Sequence, residues 1–256
     1  MGLIDTMTNK NRSRIKFWWL IIKYKIKYLF SNPLYSAGTH LIEAPAGTGK
    51  TLLMNIILRN TVDPCKHYMY SNLPQFDNNY IKQIDIFDMF DNGKQQYQLP
   101  NIINNKYCKG IIIDEINANF NRRLNNRAYY NDIFVGLMEF FVTHRHQGIE
   151  KIYLIGQDLS LQDIQLQQVL KYRHLVYSAK RYSYKLYLET GEIVKLPKKL
   201  KVIHYIKSSE KDNRGTPIFV PFKISKIRVD YDKHIKTYNH KGYAEKYKKL
   251  PIYPLN

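Results

Sequence analysis

The sequence is poor in cysteine and in acidic residues, and it has no long hydrophobic run. Its two cysteines, Cys65 and Cys108, stand alone, without a C-x-x-C pair or a histidine cluster beside them. This argues against a zinc site or a disulfide framework and suits a reducing cytosol. No cleavable signal peptide is visible. In the apolar segment 15–30 the longest uncharged run is six residues, well short of the roughly 20 that span a bilayer.

The scarcity of acidic residues leaves a large positive charge. The chain has 21 Asp and Glu against 40 Lys and Arg, a net charge of +19. The excess is concentrated in residues 180–256, which hold 19 Lys and Arg and 7 Asp and Glu. Such a balance favours polyanionic partners, either nucleic acid or an anionic membrane surface. AT-rich coding bias, which enriches Lys, Asn, Ile and Tyr, is an equally good explanation of part of this charge.

Segment 15–30 combines aromatic residues with four lysines, at positions 16, 23, 25 and 27. Lysines beside Trp and Tyr suit a helix that lies in the headgroup region of an inner-membrane surface. A first helix packed on the core of the protein is the alternative.

Residues 41–51, LIEAPAGTGKT, predict a phosphate-binding loop between a strand and a helix. Such a loop wraps a triphosphate with backbone N–H groups, and Gly47 and Gly49 leave room for this close approach. Lys50 is expected to reach the β- and γ-phosphates of ATP, and the Thr51 hydroxyl to hold Mg²⁺. Ala44 stands where the motif has glycine, which the turn tolerates if φ stays negative. The predicted nucleotide-binding residues are Ala44, Pro45, Ala46, Gly47, Thr48, Gly49, Lys50, Thr51 and Leu52.

Residues 110–115, GIIIDE, predict a buried parallel strand that ends in two carboxylates. Ligands of open α/β sheets bind at the carboxyl ends of the strands. Asp114 is therefore the expected partner of Mg²⁺, and Glu115 the expected base that polarises the attacking water. Two solvated acids at a strand end are common alone, but not about 60 residues after a phosphate-binding loop. The two motifs together predict NTP binding and hydrolysis.

A third set of candidates surrounds the next strand. Gln157 follows the strand at 151–155, where its amide could orient water or sense the γ-phosphate. Arg145 is a candidate finger that reaches a neighbouring subunit's nucleotide; an internal clamp or a DNA contact is an equal alternative. Arg122 and Arg123 are further candidates for an arginine finger. A solvated basic loop explains these two residues equally well. A finger that acts in trans requires a homo-oligomer, such as a ring.

The order of patterns predicts an α/β P-loop NTPase with a mainly parallel, doubly wound sheet. Strands are expected at 40–43, 66–71, 110–115, 151–155 and 175–178, with helices at 51–58, 80–90, 130–143 and 161–170. Residues 1–36 are expected to form an N-terminal basic and apolar helical segment, and 37–180 the ATPase domain. Residues 181–256 are expected to be a small basic extension, β-rich or partly disordered, with a hairpin formed by 184–188 and 193–196.

Four stretches in this order and spacing resemble the zonular occludens toxin-like (Zot) family: APAGTGKT, YSNLP, IIIDEINANFNRR and THRHQGIEKIYLIGQD. That family includes the assembly ATPases of filamentous phages and lies near the FtsK/HerA pumping ATPases. The resemblance covers about residues 38–180, and the last stretch is its most specific part. Two features depart from the family: Ala44, and the lack of a membrane span after the ATPase domain.

The resemblance implies an ATPase of virion assembly that moves single-stranded phage DNA through or to a membrane complex. Its partners would be phage coat and assembly proteins, and its place the host cytoplasm, at the cytoplasmic side of the membrane. It assigns Lys50 and Thr51 to phosphate and Mg²⁺, Asp114 and Glu115 to metal and water, and Gln157 to sensing. A helicase-loader or AAA+-type accessory ATPase and a nucleotide-gated, non-hydrolysing binding module are the alternatives.

Overall fold

The structure is a computed structural model that describes residues 9–73, 79–84, 107–116, 128–146, 148–159, 164–191, 193, 195–213 and 215–235. Its elements in chain order are α1 (Asn9–Lys27), a 3₁₀ turn (Pro33–Tyr35), β1 (Gly38–Glu43), α2 (Lys50–Thr61), β2 (Tyr68–Ser71), β3 (Ile81–Gln83), β4 (Cys108–Ile113), α3 (Ala128–Thr143), β5 (Lys151–Gly156), α4 (Ile164–Val169), β6 (Tyr172–Tyr182), α5 (Tyr184–Thr190), β7 (Lys195–Lys211), β8 (Pro217–Arg228) and a π-helical turn (Tyr231–Ile235).

These strands form an eight-stranded sheet in the order β3-β2-β4-β5-β1-β6-β7-β8. Neighbours from β3 to β6 run parallel, whereas β6, β7 and β8 pair antiparallel. Every residue of β1 and β5 is buried, as expected for parallel strands covered on both faces. The predicted α/β class with a mainly parallel sheet is confirmed.

Helices cover the two faces of the sheet and create two cores. One core holds α2 with side chains of β1, β5 and β7. The other holds α3 and α4 with side chains of β4 and β5. The outcome is a three-layer arrangement in which the carboxyl ends of the parallel strands meet at one edge.

The predicted N-terminal helix is present as α1, and it packs against β8. The Tyr28 ring lies 5.1 Å from the Phe222 ring, and Tyr24 packs on the same small core. Other side chains of α1 stay accessible: Trp18, Trp19 and Ile26 are 54%, 58% and 70% exposed. In the described part of the chain no helix is long and apolar enough to cross a bilayer.

Three buried histidines form a hydrogen-bonded chain across strands β1, β6 and β7. His40 Nε2 donates to the Ser36 carbonyl at 2.8 Å, because a carbonyl can only accept. Its Nδ1 therefore accepts from His174 Nε2 at 3.0 Å, and His174 Nδ1 accepts from His204 Nδ1 at 2.9 Å. His204 Nε2 then accepts from the Ser225 hydroxyl at 2.8 Å. One set of neutral tautomers satisfies every bond of the chain.

The predicted hairpin of 184–188 with 193–196 is wrong. Tyr184–Thr190 is helix α5, because Ser183 caps its start by accepting from the Leu186 N–H at 3.2 Å, and Gly191 ends it at φ 73°. These are ordinary capping signals. Residues 195–211 instead form β7 and pair with β6 and β8.

The sheet is also larger than predicted at both edges. A helix at 80–90 is wrong for Ile81–Gln83, which is edge strand β3 beside β2; residues 85–90 lie outside the described residues. The strand predicted at 175–178 extends over Tyr172–Tyr182. The extension is β-rich as far as Arg228, and its strands join the central sheet. The division at residue 180 stays a prediction, and residues 236–256 lie outside the described part.

Candidate nucleotide-binding site

The loop between β1 and α2 has the backbone conformation that the motif predicts. Gly47 has φ 70° and Gly49 has φ 104°, in the left-handed region that favours glycine. Gly49 is the N-cap of α2, so the N–H groups of the first turn of the helix face the loop. The helix ends at Thr61, two residues before Asp63-Pro64.

Ala44 does not disturb this loop. Glu115 is the one non-glycine residue with positive φ in the described part of the chain, so φ at Ala44 is negative, as tolerance of alanine requires. Its N–H donates to the Gly156 carbonyl at 3.4 Å, and its side chain is buried in the α2 core. The departure from the motif therefore costs no left-handed backbone conformation. The Leu52 side chain lies in the same core, which leaves only the backbone of Leu52 to face the loop.

Lys50 folds back onto the loop. Its ammonium donates to the Ala44 carbonyl at 2.7 Å and to the Pro45 carbonyl at 3.2 Å. Burial lowers the pKa of Lys50, while the carboxylates of Glu115 and Asp114 act in the opposite direction. The structure thus brings the loop lysine and the two predicted acids into one electrostatic site. The Thr51 side chain lies half-buried in the first turn of α2.

Asp114 is held at the end of β4 by a residue of the neighbouring strand. Asn72, directly after β2, accepts from the Asp114 N–H at 2.8 Å and donates to its carbonyl at 3.2 Å. Asp114 is 4% exposed, and this burial raises the pKa of its carboxyl to about 7, with the charge of Lys50 opposing the rise. The amide of Asn72 therefore fixes the peptide of a desolvated acid.

Glu115 has φ 53°, an unusual conformation for a residue with a side chain. Left-handed non-glycine residues cost of order 1 kcal/mol and cluster at functional sites. Here the conformation turns the chain at the end of β4, and the half-buried Glu115 lies within electrostatic reach of Lys50. The backbone strain lies at the residue predicted to be the base.

The sheet order places Gln157 between the loop and the acids. β5 lies between β1 and β4, and Gly156, its last residue, is aligned with Glu43, the last residue of β1. Gln157 follows immediately and is exposed. The position at the tip of the intervening strand is the one predicted for a side chain that orients water; the role itself stays a prediction.

A buried ion pair links this strand tip to β6. Glu43 accepts two bonds from Arg173, at 2.7 and 3.1 Å, and one from the Leu159 N–H at 3.1 Å. The Glu43 side chain is 7% exposed and that of Arg173 23%. Bidentate pairs of this kind are among the stronger ones. The pair therefore anchors the segment that carries Gln157.

Arg145 lies at the opposite end of the strands, beside the start of β1. Its guanidinium donates to the Ala37 carbonyl at 3.2 Å, next to Gly38 at the start of β1. The loop follows the end of that six-residue strand, about 20 Å away at 3.3 Å per residue. Arg145 therefore does not reach the nucleotide site of its own chain, and a role in trans stays a prediction. Arg122 and Arg123 lie outside the described residues.

The donor set fits Mg²⁺. Hard divalent cations prefer carboxylate and hydroxyl oxygens, which Asp114 and Thr51 supply from neighbouring elements of the site. A buried carboxyl with a raised pKa is stabilised as the anion by a cation beside it. Asp114 and Thr51 are thus the residues that would hold the ion.

The sequence alone does not assign a role to two parts of the site. Asn72 stands in the stretch YSNLP directly after a predicted strand, and this place is the signal that points to it. The Glu43–Arg173 pair joins residues 130 positions apart, so no local pattern could reveal it.

No family model matches the chain. It is 29% identical over 202 residues to an uncharacterized 37.2 kDa protein of Acholeplasma phage L2, and the match covers 75% of this chain and 62% of the relative. The chain thus spans less than two thirds of that relative's length.

The solved structures that are similar to this chain include the following two. One is the N-terminal domain of zonular occludens toxin from Neisseria meningitidis, with TM-score 0.45 and 19% identity, covering 77% of this chain and 98% of that domain. The other is the genome packaging NTPase of Sulfolobus turreted icosahedral virus 2, with TM-score 0.41 and 15% identity, covering 77% and 98%.

Proposed function

We propose that this chain is a P-loop ATPase that acts as a motor in phage assembly and translocates or packages DNA, with single-stranded DNA as the expected substrate. One observation carries the enzymatic part: a glycine-shaped loop at a helix N-terminus brings Lys50 within electrostatic reach of Asp114 and Glu115. This is the combination that binds a triphosphate and activates water. The phage relative supports the setting.

Nucleotide binding would rely on the backbone of the loop and on Lys50. The loop carbonyls of Ala44 and Pro45 now accept the bonds of the ammonium. On binding, the ammonium exchanges them for phosphate oxygens, while the N–H groups at the start of α2 face the same oxygens. Mg²⁺, held by Thr51 and Asp114, would supply charge neutralisation at the β- and γ-phosphates.

Hydrolysis would rely on Glu115 and Gln157. Water attacks the γ-phosphorus, the bond from that phosphorus to the bridging oxygen breaks, and the Glu115 carboxylate accepts a proton from the water. Gln157, at the tip of the strand between loop and acids, orients the water. Asn72 keeps the Asp114 peptide, and with it the following Glu115, in place.

The test is steady-state phosphate release by the wild-type protein, Glu115→Gln and Lys50→Ala. A motor predicts that Glu115→Gln binds ATP like the wild type but loses turnover by about a hundredfold or more, whereas Lys50→Ala loses binding as well. Full turnover in Glu115→Gln would show that this residue is not the base. A wild type that binds ATP without turnover would favour a nucleotide-gated binding module.

The DNA part of the proposal rests on charge. Exposed basic residues of the antiparallel strands include Lys198, Lys199, Lys226 and Arg228. Contacts to phosphates predict that DNA affinity falls steeply with salt. Fluorescence anisotropy with single-stranded DNA, on the wild type and on Lys199→Gln/Lys226→Gln, measures this. Salt-insensitive binding, or equal affinity of the variant, would contradict the proposal for these strands.

We further propose that α1 contacts the cytoplasmic face of the host membrane. Its exposed side chains combine Trp18, Trp19 and Ile26 with lysines, and aromatic and basic residues together favour an anionic interface. Co-sedimentation with anionic vesicles should capture the wild type but much less of Trp18→Ala/Trp19→Ala, and zwitterionic vesicles should capture neither. Equal capture of both proteins by anionic vesicles would contradict the proposal.

A further inference from the structure

Strand β6 continues past the point where β1 turns into the phosphate-binding loop. β1 ends beside β6 at the pair Glu43–Leu175, whereas β6 runs on to Tyr182 and stays paired with β7 as far as Lys195. We name the projecting part, residues 176–182 of β6 and 195–202 of β7, the arm. Because β1 stops where the arm begins, the arm lies alongside the loop at 44–49.

The arm packs firmly on the base of the loop. A Cβ placed on Gly49 would lie 3.3 Å from Leu200 Cδ2 and 3.9 Å from Pro197 Cγ. Val176 and Leu200 are 1% and 0% exposed and share a core with α2. Buried apolar contacts therefore fix the position of the arm relative to the glycines of the loop.

Strand alternation directs Lys180 to the loop side of the arm. Residues 176 and 180 lie on the same face of β6, since side chains alternate, and Val176 packs on the α2 side. Next to Lys180 the pairing shifts from Ala179–Lys199 to Lys180–Pro197, which leaves Lys198 as the extra residue of a bulge in β7. Bulges re-aim side chains and are frequent beside functional sites.

The end of this side chain reaches the tip of the loop. A Cβ built on Gly47 would lie 3.7 Å from Lys180 Nζ. Gly47 has φ 70° and belongs to the segment whose N–H groups wrap the phosphates. The Lys180 ammonium therefore lies close to Gly47, while the Lys50 ammonium is bonded to the Ala44 carbonyl at the start of the same loop.

We propose that Lys180 is a second phosphate-binding cation of the nucleotide site, supplied by the same chain through the arm. Its ligand is the polyphosphate chain of the nucleotide held at residues 47–51, so the inference rests on the proposed nucleotide binding. A nucleoside triphosphate with its charge shared between two lysines is bound more tightly than by Lys50 alone. Lys180 lies on the strand that pairs with β7, and β7 pairs in turn with β8, so bound phosphate would contact the same antiparallel strands that carry the basic extension.

The test is equilibrium binding of fluorescent ATP and ADP analogues to the full chain, without DNA. Lys180→Met should weaken ATP binding about tenfold, the usual worth of a charge-assisted contact, and Lys180→Arg should retain it. Lys201→Met is the matched control, because Lys201 pairs with Tyr177 on the opposite face of the arm and is also exposed. Thermal unfolding without nucleotide should be the same for all four proteins, which excludes a folding defect.

Each outcome bears on the inference. A larger loss for ATP than for ADP supports it and places the contact on the γ-phosphate, whereas equal losses support it and place the contact on the inner phosphates. If Lys180→Met binds like the wild type while Lys50→Ala does not bind, Lys180 has no such role and the proposed function survives. If the wild type binds neither nucleotide, both proposals are overturned.

Discussion

The buried histidine chain makes fold stability dependent on pH, and replacing one histidine tests this. Burial lowers the pKa of His40 to about 3 and that of His204 to about 3, and it lowers the pKa of His174 well below its ordinary value. In the unfolded chain a histidine takes up its proton near pH 6.5. Below that pH the unfolded state binds more protons than the folded state. The contribution of these histidines to folding stability is therefore fully present above about pH 7 and is lost progressively toward pH 3.

The size of the effect follows from these values. Folding lowers the pKa of such a histidine from 6.5 to about 3. Between about pH 8 and pH 5 this shift lowers the free energy of unfolding by about 2 kcal/mol. His40 and His204 together therefore account for about 4 kcal/mol, a large part of the roughly 5–15 kcal/mol of a typical domain. Asp114 acts in the opposite direction, because its pKa is raised to about 7 and the folded state takes up that proton first.

The assay is urea unfolding at about pH 8 and pH 5 in an Asp114→Asn background, which removes the opposing acid. His40→Phe keeps a ring between Tyr153 and Tyr172, whose centroids lie 4.8 and 4.9 Å from that of His40. The variant loses about 1–3 kcal/mol at pH 8, because His174 Nε2–H is left unpaired. The decrease in its free energy of unfolding from pH 8 to pH 5 should nevertheless be about 2 kcal/mol smaller than in the parent with His40. An equal pH dependence in both proteins would refute the assignment of neutral, buried histidines.

Three further substitutions test how the site is held and how it orients water. Asn72→Ala should lower ATP turnover more than ATP affinity, because it frees the Asp114 peptide, and an unchanged turnover in a phosphate-release assay would contradict this. Arg173→Met leaves Glu43 buried without its partner and should cost about 3 kcal/mol of unfolding free energy in urea; a loss below about 0.5 kcal/mol would show that the pair is not structural. Gln157→Ala should reduce turnover more than nucleotide affinity, and equal losses of both in parallel binding and turnover assays would exclude a role in orienting water.

The parallel centre of the fold was predictable because its signals are local. The run Ile111–Ile113 forms the end of β4 and is followed directly by two acids. Gly47 and Gly49 of the loop have positive φ, which glycine adopts readily. Buried parallel strands need only a continuous apolar run and a nearby helix, which short windows of sequence reveal.

The antiparallel edge was harder to predict because the local signals mislead there. The segment YKLYL at 184–188 is followed by ETGE, which suits a hairpin turn, yet the caps at Ser183 and Gly191 decide for a helix. The length of β7 depends on pairing with β6 and β8, which is tertiary information. For the same reason the place of Lys180 beside Gly47 could not be deduced from either motif.

The measurement that tests the central claim most directly is steady-state ATP hydrolysis by the purified chain, with and without single-stranded DNA, and with Lys50→Ala as control. The account predicts turnover that DNA stimulates and that the control loses. Tight ATP binding with no turnover under either condition would contradict a motor and identify the chain as a nucleotide-gated binding module.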